Sequence, residues 1–338
     1  MSKPLRYRRL RTLPDGLPTG SLNLISDVPG IRVGHHTIWE EAPRILRTGV
    51  TALTIPNVVA QPVAAATHVF NGFGKSLGLM QIDELGTMES PVYLTNTLSV
   101  GAVHQGAVAV AQRERSPLRT YNPIVMECND GRLSDIDALA VTPAMAALAH
   151  DAATENFELG SVGAGTGMIC FGHKGGIGSS SRCIEVAGNE FTVGALVLSN
   201  FGRREDLRLP GTALSLAPGV MDGNGSLILI VATDLPLMPH QLRRVARHAA
   251  LCIGQLGTPG YHGSGDVVVA FSTGLRLGSG EAMRSANIIA NDGEAMNLAF
   301  RAAAWSCTEA ILDSMLASPA VKGLRAEVPS LADEPAIH

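Results

Sequence analysis

Asp222-Gly223-Asn224-Gly225-Ser226-Leu227-Ile228-Leu229-Ile230-Val231-Ala232-Thr233-Asp234 is the stretch on which the fold of this chain turns. A loop with two glycines meets one serine, then runs at once into Leu227, Ile228, Leu229, Ile230 and Val231. A short unbroken apolar run with β-branched members, bounded by turn residues, reads as a buried strand rather than a helix. Ser226 then stands on the first residue of an interior strand, where its hydroxyl is held in place. Gly225 before it permits a close backbone approach and angles that a Cβ forbids. The alternative reading of these residues is a glycine turn in which serine supplies ordinary turn chemistry.

A second wholly apolar strand, 267–271, follows Gly263-Ser264-Gly265-Asp266. Further strands are predicted at 48–55, 91–95, 124–126 and 192–198, with a strand–turn–strand pattern over 24–33. Helical spacing predicts helices at 76–82, 99–112, 143–153 and 236–253. A longer one is predicted over 294–316, with Asn291 and Asp292 as its cap. Buried strands alternating with helices, without a repeat or a linker composition, predict one layered α/β domain over 23–316. Pro4, Pro14 and Pro18 break up residues 1–22, which read as an irregular arm, solvated or packed on a partner subunit. Residues 203–218 read as a surface excursion, and 317–338 as a loose tail.

Composition narrows the function. Charged residues make up 17% of the 338 residues and the formal net charge is −4. Soluble proteins carry about 25% charge, so a large core or burial in an oligomer is expected. A negative balance lacks the basic footprint of a nucleic-acid binder, and 4% aromatics leave few platforms for bases. Cys128, Cys170, Cys183, Cys252 and Cys307 are odd in number and widely spaced. They fit reduced thiols in a cytoplasmic protein better than a disulfide framework. No apolar run approaches the ~18 residues of a membrane helix, and no hydrophobic signal core follows the basic N-terminus.

Several glycine-rich and acidic segments fail their motifs. Gly163-Ala164-Gly165-Thr166-Gly167 lacks the dinucleotide-loop spacing, and the run from Gly172 to Gly178 lacks the ending of a phosphate loop. Those glycines are expected to be structural. The histidines show no metal spacing, and Asn129, Asp130, Asp135 and Asp137 do not match a calcium loop. No metal and no cofactor are expected.

The polar residues at strand ends carry more chemistry. Ser226 and Ser264 are glycine-flanked serines at equivalent ends of two buried strands and could lie side by side. Asp266 could orient Ser264, Asn200 could aim an amide donor at the same place, and Glu127 ends another strand. No histidine has a seat beside Ser226. A serine nucleophile here needs another base, and one solution is its own α-amine, freed by cutting the bond before it.

These segments bring in a family resemblance. The chain resembles the DmpA/β-aminopeptidase family of self-cleaving N-terminal-nucleophile hydrolases over residues 25–316. The resemblance is carried by Ser26-Asp27-Val28-Pro29-Gly30-Ile31-Arg32-Val33-Gly34-His35, Asn71-Gly72-Phe73-Gly74-Lys75-Ser76-Leu77-Gly78-Leu79 and Glu84-Leu85-Gly86-Thr87-Met88-Glu89-Ser90-Pro91. Leu94-Thr95-Asn96-Thr97-Leu98-Ser99-Val100-Gly101, Gly165-Thr166-Gly167-Met168, Gly172-His173-Lys174-Gly175-Gly176-Ile177-Gly178, Gly225-Ser226 with its apolar strand and Ala232-Thr233-Asp234, and Gly263-Ser264-Gly265-Asp266 complete it. It implies a four-layer αββα sandwich, like that of the ornithine acetyltransferases, and autocleavage between Gly225 and Ser226. By the same resemblance Ser226 is the nucleophile and Ser264 the helper hydroxyl. Asp266, where some members carry Glu, is a proton relay or orienter. Asn200 is the oxyanion donor, and Glu127 holds the substrate's free amine. The expected activity is removal of small N-terminal residues from short peptides, amides or esters. The expected assembly is a homo-oligomer, a tetramer of cleaved protomers, with no nucleic-acid or membrane partner. An acyltransferase of the ornithine-acetyltransferase type and a non-catalytic peptide-binding relative are the alternatives.

Overall fold

The computed structural model describes residues 5–212, 225–278, 283, 285–290 and 293–337. A single helical turn, α1 (Tyr7–Leu10), precedes three long strands, β1 (Arg32–Glu40), β2 (Leu46–Thr54) and β3 (Val63–Gly72). Next come α2 (Leu79–Leu85), the short β4 (Thr87–Met88), β5 (Val92–Asn96), α3 (Val100–Glu114), β6 (Ile124–Cys128) and α4 (Pro143–Asp151). The short β7 (Ile169–Cys170) and β8 (His173–Lys174) introduce β9 (Gly176–Val186), β10 (Asn189–Asn200) and β11 (Gly225–Thr233). Helices α5 (Pro239–Ala249) and α6 (Leu251–Gln255) lead to β12 (Ser264–Arg276) and the long α7 (Gly293–Leu316). A hairpin, β13 (Val321–Lys322) and β14 (Glu327–Val328), follows.

Among the described residues, β1-β2-β5-β6 form one sheet and β4-β3-β12-β11-β10-β9 another. Strand alternation sorts their side chains into three cores. Leu227, Leu229 and Val231 of β11 pack with α5 and α7 side chains such as Leu242, Val245, Ala303 and Ile311. Ile228, Ile230 and Ala232 face the other way, onto Leu53, Leu94, Ile124 and Met126 of the four-stranded sheet. The far side of that sheet, through Val50, Ala52, Tyr93 and Val125, meets α3 and α4 at Val103, Ala107, Ala146 and Ala149. The result is helix, sheet, sheet, helix: the αββα sandwich expected from the sequence. Each aliphatic of β11 is buried because both faces are covered, which is why the run carries no polar alternation.

Three long strands lie wholly or mostly outside the predicted ones: β1, of which only residues 32 and 33 fall in a predicted segment, β3 and β9. β3 reads Val63-Ala64-Ala65-Ala66-Thr67-His68 and β9 reads Gly176-Ile177-Gly178-Ser179-Ser180-Ser181-Arg182. Alanine, glycine and serine are weak strand formers, and packing selects them here. A Cβ on Gly178 would stand 1.8 Å from the Ala310 carbonyl oxygen, so this glycine sets how closely α7 approaches β9. The single helix predicted over 236–253 is two, with the break at Ala250. Residues 24–33 hold a 3-10 turn, Ile25–Asp27, before β1 rather than two strands. Asn291 and Asp292, the expected cap of α7, lie outside the described residues.

The described part of the arm is anchored on the chain's own core through Tyr7, Leu13 and Asp15, which are buried. Tyr7 is 1% exposed; its backbone N–H donates to Asp313 Oδ1 of α7 at 2.6 Å and its hydroxyl to the Pro210 carbonyl at 2.5 Å. Arg6 pairs with Asp313 at 2.6 Å, and Arg8 reaches Asp15 at 2.8 Å. The fully buried Arg182 of β9 lies between Asp15 and Glu309 of α7. The basic arm is therefore drawn onto acids buried on α7, partners some 300 residues away that no local pattern announces. Nor does the C-terminal segment hang loose. Leu331 is buried, and Glu334 lies 2.8 Å from His173 and pairs with Arg204. Over residues 203–212 the expected surface excursion buries Leu207 and Leu209; residues 213–218 lie outside the described residues.

Removing one partner of a buried ion cluster leaves the others desolvated and uncompensated, at about 3–5 kcal/mol. Arg182→Met should therefore lower the unfolding free energy by about that amount, read from urea titration of the purified protein. A loss below about 1 kcal/mol would show that Arg8 alone neutralises Asp15 and Glu309.

Candidate active site

Three neighbouring strands of the six-stranded sheet bring the strand-end residues together. β10 runs antiparallel to β11 with Asn200 opposite Ser226, and β12 runs parallel to β11 with Gly265 beside Ser226 and Ser264 beside Gly225. Gly225 is fixed by this packing as well as by its chemistry. A Cβ there would lie 2.2 Å from the Asn200 carbonyl oxygen. Alternation puts the Ser226 side chain on the face turned toward the four-stranded sheet, the face it shares with Asn200. At that end of the sandwich a cavity of about 190 Å³ opens, lined among others by Ser226, Asn200, Gly225, Gly263, Thr97 and Asn129.

Ser226 is only 4% exposed, and its hydroxyl donates to the Gly225 carbonyl at 2.6 Å. The serine thus stands against the carbonyl group of the peptide bond that precedes it. Asn200 is oriented by its neighbours. The backbone N–H of Ile169 donates to Oδ1 at 2.8 Å, and Nδ2 donates to the Asn129 carbonyl at 3.1 Å. Because Oδ1 already accepts, the amide nitrogen is the group available to the cavity, and it has a second proton to offer.

Ser264 and Asp266 form a buried pair on the next strand. The Ser264 hydroxyl donates to Asp266 Oδ1 at 2.6 Å. Burial pushes the Asp266 carboxyl up to about 6, against the opposing pull of that hydroxyl. The expected orientation of Ser264 by Asp266 is therefore present. The side-by-side placement of the two serines is offset by one residue, since the register sets Ser226 against Gly265. It is Gly263, the residue just before β12, that reaches the cavity wall. Asn71 holds this strand end from the side, donating through Nδ2 to the Tyr261 carbonyl at 3.1 Å, the His262 carbonyl at 3.0 Å and the Ser264 carbonyl.

Glu127, at the end of β6, comes from the opposite sheet. It is 2% exposed; Oε1 accepts the Lys75 backbone N–H at 3.0 Å and Oε2 accepts the Thr97 hydroxyl. Lys75 and Thr97 line the cavity, so the carboxylate stands directly behind its wall. The next residue, Cys128, ties the two sheets together, with its thiol 3.4 Å from the Ser226 carbonyl oxygen.

The sequence reading passed over several contributors. Lys174 is fully buried and donates to the Gly165 and Gly175 carbonyls at 2.9 and 2.7 Å, holding the glycine turn Gly163–Gly167 that floors the cavity. With carbonyls rather than a carboxylate around it, burial draws its ammonium down to about 7. Asp130 packs under Gly167, and burial pushes its carboxyl up to about 7. The signal for Lys174 was a charged residue inside the glycine-rich run 172–178; Asp130 carried only its place three residues after Glu127. Asn71, Lys75 and Thr97 lay within resembling segments but carried no assigned role.

All five cysteines are unpaired, four of them buried. Among the described residues no cluster of His, Cys, Asp and Glu could hold a metal ion, and no helix is long and apolar enough to cross a membrane.

Comparison with known proteins places this geometry. The sequence model of peptidase family S58 matches residues 23–328. The β-peptidyl aminopeptidase BapA of Sphingosinicella microcystinivorans is 35% identical over 332 residues, covering 90% of this chain and 84% of its own. Two solved structures superpose closely. The β-aminopeptidase of a Burkholderia species has a TM-score of 0.88 at 37% identity, covering 97% of this chain and 96% of its own. The L-aminopeptidase D-Ala-esterase/amidase of Ochrobactrum anthropi, described as a variant of the Ntn hydrolase fold, gives 0.87 at 35% identity with the same coverage.

The Asp266 carboxyl is raised from its ordinary value near 4 to about 6, so the folded protein favours its neutral form. Its contribution to stability is full below about pH 4 and is lost as pH rises through about 6. Asp266→Asn keeps a neutral side chain at every pH. The variant should gain on the wild type by roughly 2 kcal/mol between about pH 4 and about pH 7, measured by paired urea titrations. A stability difference that stays flat over that range would place the Asp266 carboxyl at its ordinary acidity.

Proposed function

The chain belongs to peptidase family S58 and is a hydrolase of the aminopeptidase type, and from that premise we propose that Ser226 is its nucleophile, exposed as a new N-terminus by cleavage of the Gly225–Ser226 bond. The observation that carries the reading is the Ser226 hydroxyl, 2.6 Å from the Gly225 carbonyl oxygen at the mouth of a cavity that also presents Asn200.

In the first step Ser226 Oγ attacks the Gly225 carbonyl carbon, and the bond from that carbon to the Ser226 nitrogen breaks. The resulting ester is opened by water, leaving a Gly225 carboxylate and a free Ser226 α-amine. An α-amine titrates near ~8 and is partly neutral at physiological pH, so it can take the hydroxyl proton. The offset of Ser264 from Ser226 favours the α-amine as the immediate base, with the Ser264–Asp266 pair supporting it from the adjoining strand. In turnover Ser226 attacks the substrate carbonyl, and Asn200 Nδ2 meets the developing oxyanion. One such donor is typically worth about 3–4 kcal/mol.

Glu127 pairs with the substrate ammonium and limits attack to the bond after the first residue. Its carboxylate lies behind Lys75 and Thr97, so the ammonium must sit against that wall. A cavity of about 190 Å³ holds roughly six waters' worth of volume, which supports small N-terminal residues on short peptides, amides or esters. Acyl transfer to an added amine instead of water, or the absence of turnover in an intact chain, would mark the other two readings.

Purified protein should separate on a denaturing gel into fragments 1–225 and 226–338, and sequencing of the smaller one should begin Ser-Leu-Ile-Leu-Ile. Ser226→Ala should give one full-length band and no hydrolysis, because both steps use the same oxygen. An uncut wild-type chain that hydrolyses amides well would refute the proposed mechanism.

Glu127→Gln should lower kcat/KM for a free-amine substrate at least tenfold, on the order of one lost charge-assisted contact, while self-cleavage proceeds. The N-acetylated substrate serves as the control. Undiminished discrimination between the two substrates in this variant would remove Glu127 from amine recognition.

A further inference from the structure

Among the described residues, the two charged side chains lining the cavity are both cationic, Lys75 and Arg132. Both are exposed and stand at its rim. The Lys75 ammonium rests over the Phe73 ring, 5.0 Å from its centroid. An aromatic face attracts a cation without neutralising it, so the lysine keeps its charge available at the mouth. Its other end is committed to the acid, since the Lys75 backbone N–H holds Glu127 Oε1 at 3.0 Å. One residue thus holds a carboxylate at its backbone N–H and carries an ammonium at the end of its own four-carbon stem. The site is bipolar, with negative charge behind the inner wall and positive charge at the rim.

A substrate that satisfies both poles carries an ammonium at one end and a carboxylate a short distance beyond the bond to be cut. Two extended residues span at most about 7 Å, comparable to the reach of the lysine stem. Longer peptides carry their carboxylate past the rim, while amides and esters of single residues lack one. We infer that Lys75 binds the C-terminal carboxylate of the substrate, and that the enzyme is selective for free dipeptides with a small first residue. This inference rests on the aminopeptidase reading above and adds the identity of the leaving portion.

Measuring kcat/KM for Ala-Ala and for its C-terminal amide tests it. Both carry the same first residue and the same scissile bond, so their ratio reads the carboxylate alone. Wild-type protein should favour the free acid by about fivefold, the upper end for an exposed ion pair. The preference should shrink in about 1 M salt, where charges are screened within ~3 Å. Lys75→Met should bring the ratio toward one, Lys75→Arg should keep it, and Lys75→Glu should invert it in favour of the amide. Equal rates for acid and amide in the wild type, or an acid preference that survives Lys75→Glu, would overturn the proposal while leaving the Ser226 reading intact. Hydrolysis of neither compound, with a known good amide substrate also untouched, would overturn the Ser226 reading and this inference with it.

Discussion

The in-register pairing of β10, β11 and β12 is the constraint on which the site depends. Asn200 faces Ser226 because seven neighbouring pairs, from Val193 with Thr233 to Ser199 with Leu227, fix the alignment, not because the two residues attract each other. The alternation of apolar side chains enforces that alignment. Leu227, Leu229 and Val231 fit only the helix side, while Ile228, Ile230 and Ala232 fit only the inter-sheet side. A slip of one residue would exchange the two sets and turn the serine away from the cavity. A hydrophobic pattern thus acts as the positioning device for polar chemistry, and the absence of a Cβ at Gly225 lets the strands close at the point where it is needed.

Around that frame the protein keeps some charges where a core would be expected. Arg47, Arg182 and Lys174 are among its largest fully buried side chains. They are satisfied in different ways. Arg182 sits among carboxylates, whereas Arg47 combines backbone carbonyls with Glu41 and Lys174 has carbonyls around its ammonium. The first arrangement gathers distant segments around a shared charge. Lys174 instead stiffens a five-residue turn, Gly163–Gly167, of which three residues are glycine. Buried charges cost desolvation and fix geometry, and here they are found where the backbone would otherwise have least to hold it.

The parts of this architecture that were legible in the sequence are those in which local pattern and tertiary environment agree. The strand after Ser226 is apolar throughout because it is covered twice, and α7 shows its small residues at helical spacing because it lies against a sheet. The strand-end residues Ser226, Asn200, Ser264, Asp266 and Glu127 were singled out because polar groups stand out at the end of an apolar run, Ser226, Ser264 and Asp266 beside glycine. β9 escaped because its glycines and serines suit the approach of α7 rather than any strand propensity. The arm escaped because the partners of Arg6 and Arg8 are remote in sequence. The one-residue offset between Ser226 and Ser264 depends on strand register, which a list of strand ends does not contain.

The order of strands in the larger sheet, β4-β3-β12-β11-β10-β9, has a historical consequence for each molecule. β11 and β12 come from the chain after residue 225, yet they lie between β3 on one side and β10 on the other, both from the chain before it. Neither portion owns the whole of that sheet, and the ion cluster rivets the first residues of one to the last helix of the other. Ser226 meets Asn200 only once both portions have interleaved. If the Gly225–Ser226 bond is cut by the chemistry of that meeting, the cut certifies assembly. A misfolded chain would lack the means to make it, and each new amino terminus would be a lasting record that its molecule had folded.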